Sequence, residues 1–254
     1  ILQSLFDNGV LVTLANEPVW LAINIVLGSF LDPETVVRTI IFTSGSAVAW
    51  TVLRAKPENF FWLLLFLLLP VVLKNHLIHL RQGAAIAVFL WAWFTPNRVV
   101  RAVLMAFTPF IHASFFFILF ILWSAQIMKR ARLGSGIRVA LFVVIGVTLG
   151  LALGWLASLV GARQAQTYAF TAEDVSGLGF AFWSGVLALM FMQGRDFLRR
   201  HVFETGLIGV YLATYWLIEV TARIFESGLL LVLLAGLSLT GWRRTAYLLS
   251  LIHI

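Results

Sequence analysis

Ionisable side chains are costly in a hydrocarbon layer, so those that interrupt apolar sequence are the first places to look for chemistry. Arg81 and His112 flank residues 82–111, which are mostly apolar and carry a short basic kink at Pro96–Arg101. Arg81 opens an apolar helical run. It either snorkels to lipid headgroups there or serves as a phosphate ligand. A guanidinium grips phosphate through two N–H groups at once, and a helix N-terminus aims further N–H groups at the same anion. His112 lies in PFIHASFFF. It is either a structural hydrogen bond at a helix turn or a base or hydrogen-bond donor of the kind histidine supplies.

Arg223 is the third cation of interest. Glu219 and Glu226 lie four residues before it and three after, so an ion pair on one helix face competes with a role in anion binding. Glu17, directly before Pro18, is a second and weaker candidate for a base. Tyr168, Glu173 and Asp174 lie in residues 161–176, the longest polar stretch. The two acids read as solvated loop residues or as the N-cap region of the next helix. His76 and His79 have a spacing that two metal ligands can use. No carboxylate partner stands nearby, so both read as loop histidines. No HExxH, Walker A or strand-borne GxGxxG occurs, and with no cysteine there is no disulfide, thiolate metal site or cysteine nucleophile. No metal and no cofactor are expected.

These residues need elements to hold them, and the composition says which. Apolar residues make up 61% of the chain and charged residues 11%, against roughly 25% charged in a soluble domain. Several windows approach the roughly 20 apolar residues that cross a bilayer as helix. No alternating strand pattern of a barrel is visible. The expectation is one all-α polytopic membrane domain over residues 1–254, with about eight transmembrane helices and a short re-entrant or interfacial helix near the N-terminus. The net charge of +7 falls in clusters between apolar runs. That is the pattern of cytoplasmic loops, not of a nucleic-acid-binding surface.

Glu17-Pro18 and Asp32-Pro33-Glu34 carry helix-start signals: an acid at the first turn and Pro near its first position. The apolar run 19–31 between them is too short to span comfortably. Spans follow at 36–53 and at 59–73, the latter with Pro70 inside it. Residues 80–95 and 100–112 make a helical hairpin, and 114–128 leads into the densest basic loop, Lys129–Arg138. Residues 139–160, 177–193, 203–218 and 227–240 complete the set, with Glu219, Arg223 and Glu226 at the turn of the last pair.

Placing the 129–138 loop in the cytoplasm gathers 13 of the 18 basic residues there, including Arg98 and Arg101. Arg81, His112 and Arg223 then come to the outer face together with Glu17, Tyr168, Glu173 and Asp174. In the competing topology residues 99–125 form one long span with no turn at His112. That would separate His112 from Arg81.

Leu80-Arg81-Gln82, an apolar helix, a basic turn and then Phe110-Ile-His112-Ala-Ser114 resemble the EpsG family of Wzy-like integral-membrane polysaccharide polymerases. Asn16-Glu17-Pro18, Tyr168 in the long outer loop and Thr221-Ala222-Arg223 add weaker likenesses. His79 departs from the pattern, which commonly has Asn there. The family's first helix and its outer loop bearing Asp and Tyr are not matched, except for Asp7, so the chain reads as a fragment. The resemblance implies a glycosyltransferase that joins oligosaccharide units carried on undecaprenyl pyrophosphate. It would act at the outer face of the bacterial inner membrane, in exopolysaccharide or O-antigen synthesis. Partners implied are the lipid-linked substrate, the membrane, and a flippase and chain-length regulator of the same pathway. His112, Arg81 and Glu17 are the implied catalytic residues. Arg81, Gln82, Arg223 and Tyr168 are the implied substrate-binding residues. A lipid-linked oligosaccharide flippase or permease, or a ligase-type glycan transferase, is the alternative.

Overall fold

The computed structural model describes residues 16–159, 176–217 and 221–252. Among these residues the chain forms thirteen α-helices and no strand. It divides into two compact units: one runs to Phe116, and the other holds Phe117–Ser158 and the described residues from 176 on.

In the first unit, α1 (Pro18–Gly28) and α2 (Pro33–Ala55) both begin at the prolines expected from the sequence. Asp32 caps α2, its carboxylate accepting from the N–H groups of Glu34 and Thr35 at 3.1 and 3.0 Å. The run 59–73 is not one straight helix. It breaks into α3 (Phe60–Leu68) and α4 (Pro70–Leu77), bent by 62°. Leu69 is extended, as a residue before proline tends to be, and Pro70 starts a new helix because it has no N–H to continue the old one. The hairpin follows as α5 (Leu80–Phe94) and α6 (Arg98–Ile111). Asn97 starts α6 by accepting from the N–H groups of Val99 and Val100. α5 packs along both α2 and α6, and α1 lies against α6.

One fit is tight enough to demand glycine. A methyl group on Gly83 of α5 would overlap the carbonyl oxygen of Asn75 and come within 2.8 Å of His76 Nδ1. The end of α4 therefore rests on the start of α5. His76 is buried within α4, with Ser44 Oγ 3.4 Å from its Nδ1, and is not the loop histidine expected from the sequence.

α7 (Ser114–Arg130) leads from the first unit into the second. The second unit continues with α8 (Ser135–Leu159), α9 (Leu178–Met192), α10 (Arg195–Arg200), α11 (Val202–Thr214), α12 (Thr221–Gly236) and α13 (Trp242–Ile252). Neither α10 nor α13 was expected, since arginines crowd both, at the end of α10 and at the start of α13. Buried Phe197 and Leu198 hold α10 down. Tyr247 of α13 is fully buried against Gly236 and donates to the Leu233 carbonyl at 3.2 Å.

Among the described residues two helices are long and apolar enough to cross a membrane by themselves, Pro33–Ala55 and Ser135–Ala152, and the bent α3–α4 pair makes a third if it counts as one span. α1, α5, α9 and α11 are shorter apolar helices. A 15-residue helix such as α5 reaches only about 22 Å at 1.5 Å per residue, against a hydrocarbon layer of about 30 Å. Among the described residues the all-helical expectation holds, with two or three helices long enough to span and the rest shorter, so the expected count of about eight transmembrane helices is not established. Bulky apolar side chains lie exposed on several of them, Phe42, Phe61 and Trp123 among them. Such a surface suits lipid and not water.

Candidate active site

The hairpin α5–α6 carries the start of α5 and the end of α6 to the same end. Arg81 is the second residue of α5, and His112 is the residue that ends α6. His112 is extended, its own N–H still bonded to Thr108 O at 3.0 Å, and α7 begins at Ser114. His112 therefore lies at a break between helices and not inside one long span. The competing topology needed an unbroken helix there.

Glu17 completes the cluster. It occupies the N-cap position of α1 but does not cap the helix with its side chain. Its backbone is left-handed, with φ 58°, an unfavourable conformation for a residue with a Cβ. The carboxylate turns instead toward α5 and α6. Oε2 accepts from Arg81 Nη1 at 2.5 Å. Oε1 stands 2.8 Å from His112 Nδ1 and accepts from the Ala113 N–H at 3.0 Å. Both oxygens are thus engaged by three donors from two other segments.

Electrostatics follow from this geometry. The Glu17 side chain is 3% exposed. Burial pushes its pKa up, but the His112 hydrogen bond and charge, the Ala113 N–H and the Arg81 guanidinium outweigh it and hold the carboxyl below its ordinary value. An ionised carboxylate can only accept hydrogen bonds, so Nδ1 of His112 must carry the proton that faces Glu17. In the neutral ring that leaves Nε2 with the lone pair. Arg81 is the open member of the group. Its side chain is 54% exposed, and a guanidinium has five N–H donors, of which Nη1 supplies one to Glu17. The cluster can therefore accept a proton at His112 and hold an anion at Arg81.

A family model described as the EpsG family matches residues 3–223. The chain belongs to the EpsG family. No curated protein and no solved structure matches it. The matched residues include Glu17, Arg81 and His112.

The other residues singled out in the sequence fall elsewhere. Gln82 is 1% exposed, inside the packing of the first unit. Arg223 lies exposed on α12, in the second unit, and its neighbour Glu226 is buried on the same helix. Both are within a helix and not at a turn. Tyr168, Glu173, Asp174, Glu219 and Asp7 lie outside the described residues. The sequence identified Glu17, Arg81 and His112 singly, but not the contacts among them. No local signal in the sequence marks those contacts, because Glu17 before Pro18 reads as a helix start.

Proposed function

We propose that this EpsG-family membrane protein is a polysaccharide polymerase. In this reading it transfers oligosaccharide units from an undecaprenyl pyrophosphate carrier to an acceptor hydroxyl, at the outer face of the inner membrane. The observation that carries the reading is the buried Glu17 carboxylate shared by Arg81 and His112. His112 Nε2 takes the proton as the acceptor oxygen attacks the anomeric carbon. The bond from that carbon to the phosphate oxygen breaks, and the lipid pyrophosphate leaves with the electron pair. Arg81 meets the charge that grows on this leaving group, where a fixed donor is worth most. Glu17 reacts with nothing itself. It holds the His112 ring in the tautomer that can accept a proton, and it orients the Arg81 fork. Arg223 and Tyr168 are further candidates for holding the substrate.

The family supports a role in exopolysaccharide synthesis. The chemistry needs no nucleotide and no energy source, because the glycosyl pyrophosphate is already activated. Purified protein in vesicles with lipid-linked repeat units should therefore build a ladder of polymer without ATP or an ion gradient. Movement of the lipid-linked unit across the bilayer with no polymer would instead make the chain a flippase. Transfer of finished glycan to a different acceptor would make it a ligase.

A further inference from the structure

The second unit holds a cationic groove that has no part in the chemistry above. Arg132, Arg195 and Arg199 line a cavity of about 340 Å³ with Ser135, Gly136 and Ile137. Two separate segments meet there: the turn between α7 and α8, and the short helix α10. Among the described residues no carboxylate is ion-paired to any of the three arginines. Like charges gathered around one concavity repel each other unless an anion sits among them.

Two further features favour an anion. Ser135, Gly136 and Ile137 form the first turn of α8, whose N–H groups precede the helical ladder and carry the positive end of the helix dipole. A Cβ added at Gly134 or Gly136 would meet open space, so the backbone there is open to close approach.

We propose that this groove binds the phosphate of an anionic phospholipid headgroup. Guanidinium forks pair bidentately with phosphate oxygens, and helix N-termini favour the same group. In the orientation favoured by the basic-residue count, the groove faces the cytoplasmic leaflet, where anionic lipids concentrate. A free diphosphate has the same chemistry, and the test separates the two.

The whole chain, purified in neutral detergent, is titrated with phosphatidylglycerol, with phosphatidylcholine and with inorganic diphosphate, and bound ligand is counted by native mass spectrometry. Phosphatidylglycerol should bind in preference to phosphatidylcholine. The triple variant Arg132→Gln, Arg195→Gln, Arg199→Gln should bind it at least tenfold more weakly. A control with Arg54→Gln, Arg98→Gln and Arg101→Gln removes as much charge elsewhere and should bind as the wild type does. If the triple variant is unstable, the double variant on α10 alone is read in the same way. Displacement of lipid by inorganic diphosphate at equal or lower concentration would keep the site but make a soluble anion its occupant. Equal binding by the wild type and the groove variants, or an equal loss in the control, would overturn the proposal.

Discussion

His112 Nδ1 stands 2.8 Å from Glu17 Oε1, although 95 residues separate the two in the chain. The contact makes a buried acid the partner of a histidine at a helix break, and it fixes which ring nitrogen can take a proton. Replacing Glu17 with Gln removes the charge and lets the amide face either neighbour with the wrong group. Polymer synthesis should fall on the order of 10²–10⁴-fold, as when an orienting carboxylate or a general base is lost. Chain-length profiles of surface polymer, read beside the amount of protein in the membrane, check this.

His112→Asn separates holding from proton transfer. The Asn amide can still donate to Glu17 but has nothing at the place of Nε2. The variant should insert and fold like the wild type, and make as little polymer as His112→Ala. Polymer of normal length from His112→Asn would show that His112 only braces the turn.

Arg81→Lys keeps the charge but loses the fork. One ammonium cannot pair with Glu17 and hold a diphosphate with two parallel bonds. Activity should lie between the wild type and Arg81→Ala, the latter lower by about 10²–10³-fold as for a lost transition-state donor. Equal activity in Arg81→Lys and the wild type, measured as initial rates, would reduce Arg81 to a plain counter-charge.

The Glu17 carboxyl is held below its ordinary value of 4.5. Above that value both folded and unfolded chains carry the ionised acid, and the full stabilisation is present. As pH falls below about 4.5 the unfolded chain takes up a proton first, so stability declines until the folded carboxyl also protonates. Thermal melts in detergent should show an acid-side loss of stability that is smaller in Glu17→Gln. Identical acid limbs in both proteins would contradict the ionised, doubly held Glu17.

Gly83→Ala tests the seat on which Arg81 rests. Its methyl group meets the backbone oxygen of Asn75, which cannot swing aside as a side chain can. Destabilisation of about 1–3 kcal/mol is expected from such overpacking, with polymer yield falling because α5 must shift two residues from Arg81. An unchanged melting temperature would show that α4 can yield.

Much of this arrangement is legible in the chain because it is local. Asp32 caps a helix where the acid before Pro33 predicts it, whereas the cap at Asn97 and the break at Pro70, inside the expected span 59–73, appear only in the structure. The basic kink between Arg81 and His112 makes a hairpin and returns both to one end. What the sequence hides is non-local. Arg81 is 64 residues from Glu17, and nothing in either neighbourhood announces an ion pair. Glu17 reads as a helix-starting acid, the commonest use of an acid before proline, and only packing of α1 against α6 turns it to the hairpin. His76 reads as a loop residue because no carboxylate stands near it to make a metal site, whereas the chain carries it inside α4, beside Ser44. α10 and α13 were hidden because their arginines outweigh the few large side chains, Phe197 and Tyr247, that anchor them.

The central claim is that Glu17 works through His112. The most direct measurement is a double-mutant cycle on the initial rate of glycosidic bond formation in reconstituted vesicles, with Glu17→Gln, His112→Ala and the pair together. If the two act as one unit, the double variant should lose little more than His112→Ala alone. Losses that multiply, or a wild-type rate in His112→Ala, would contradict the account.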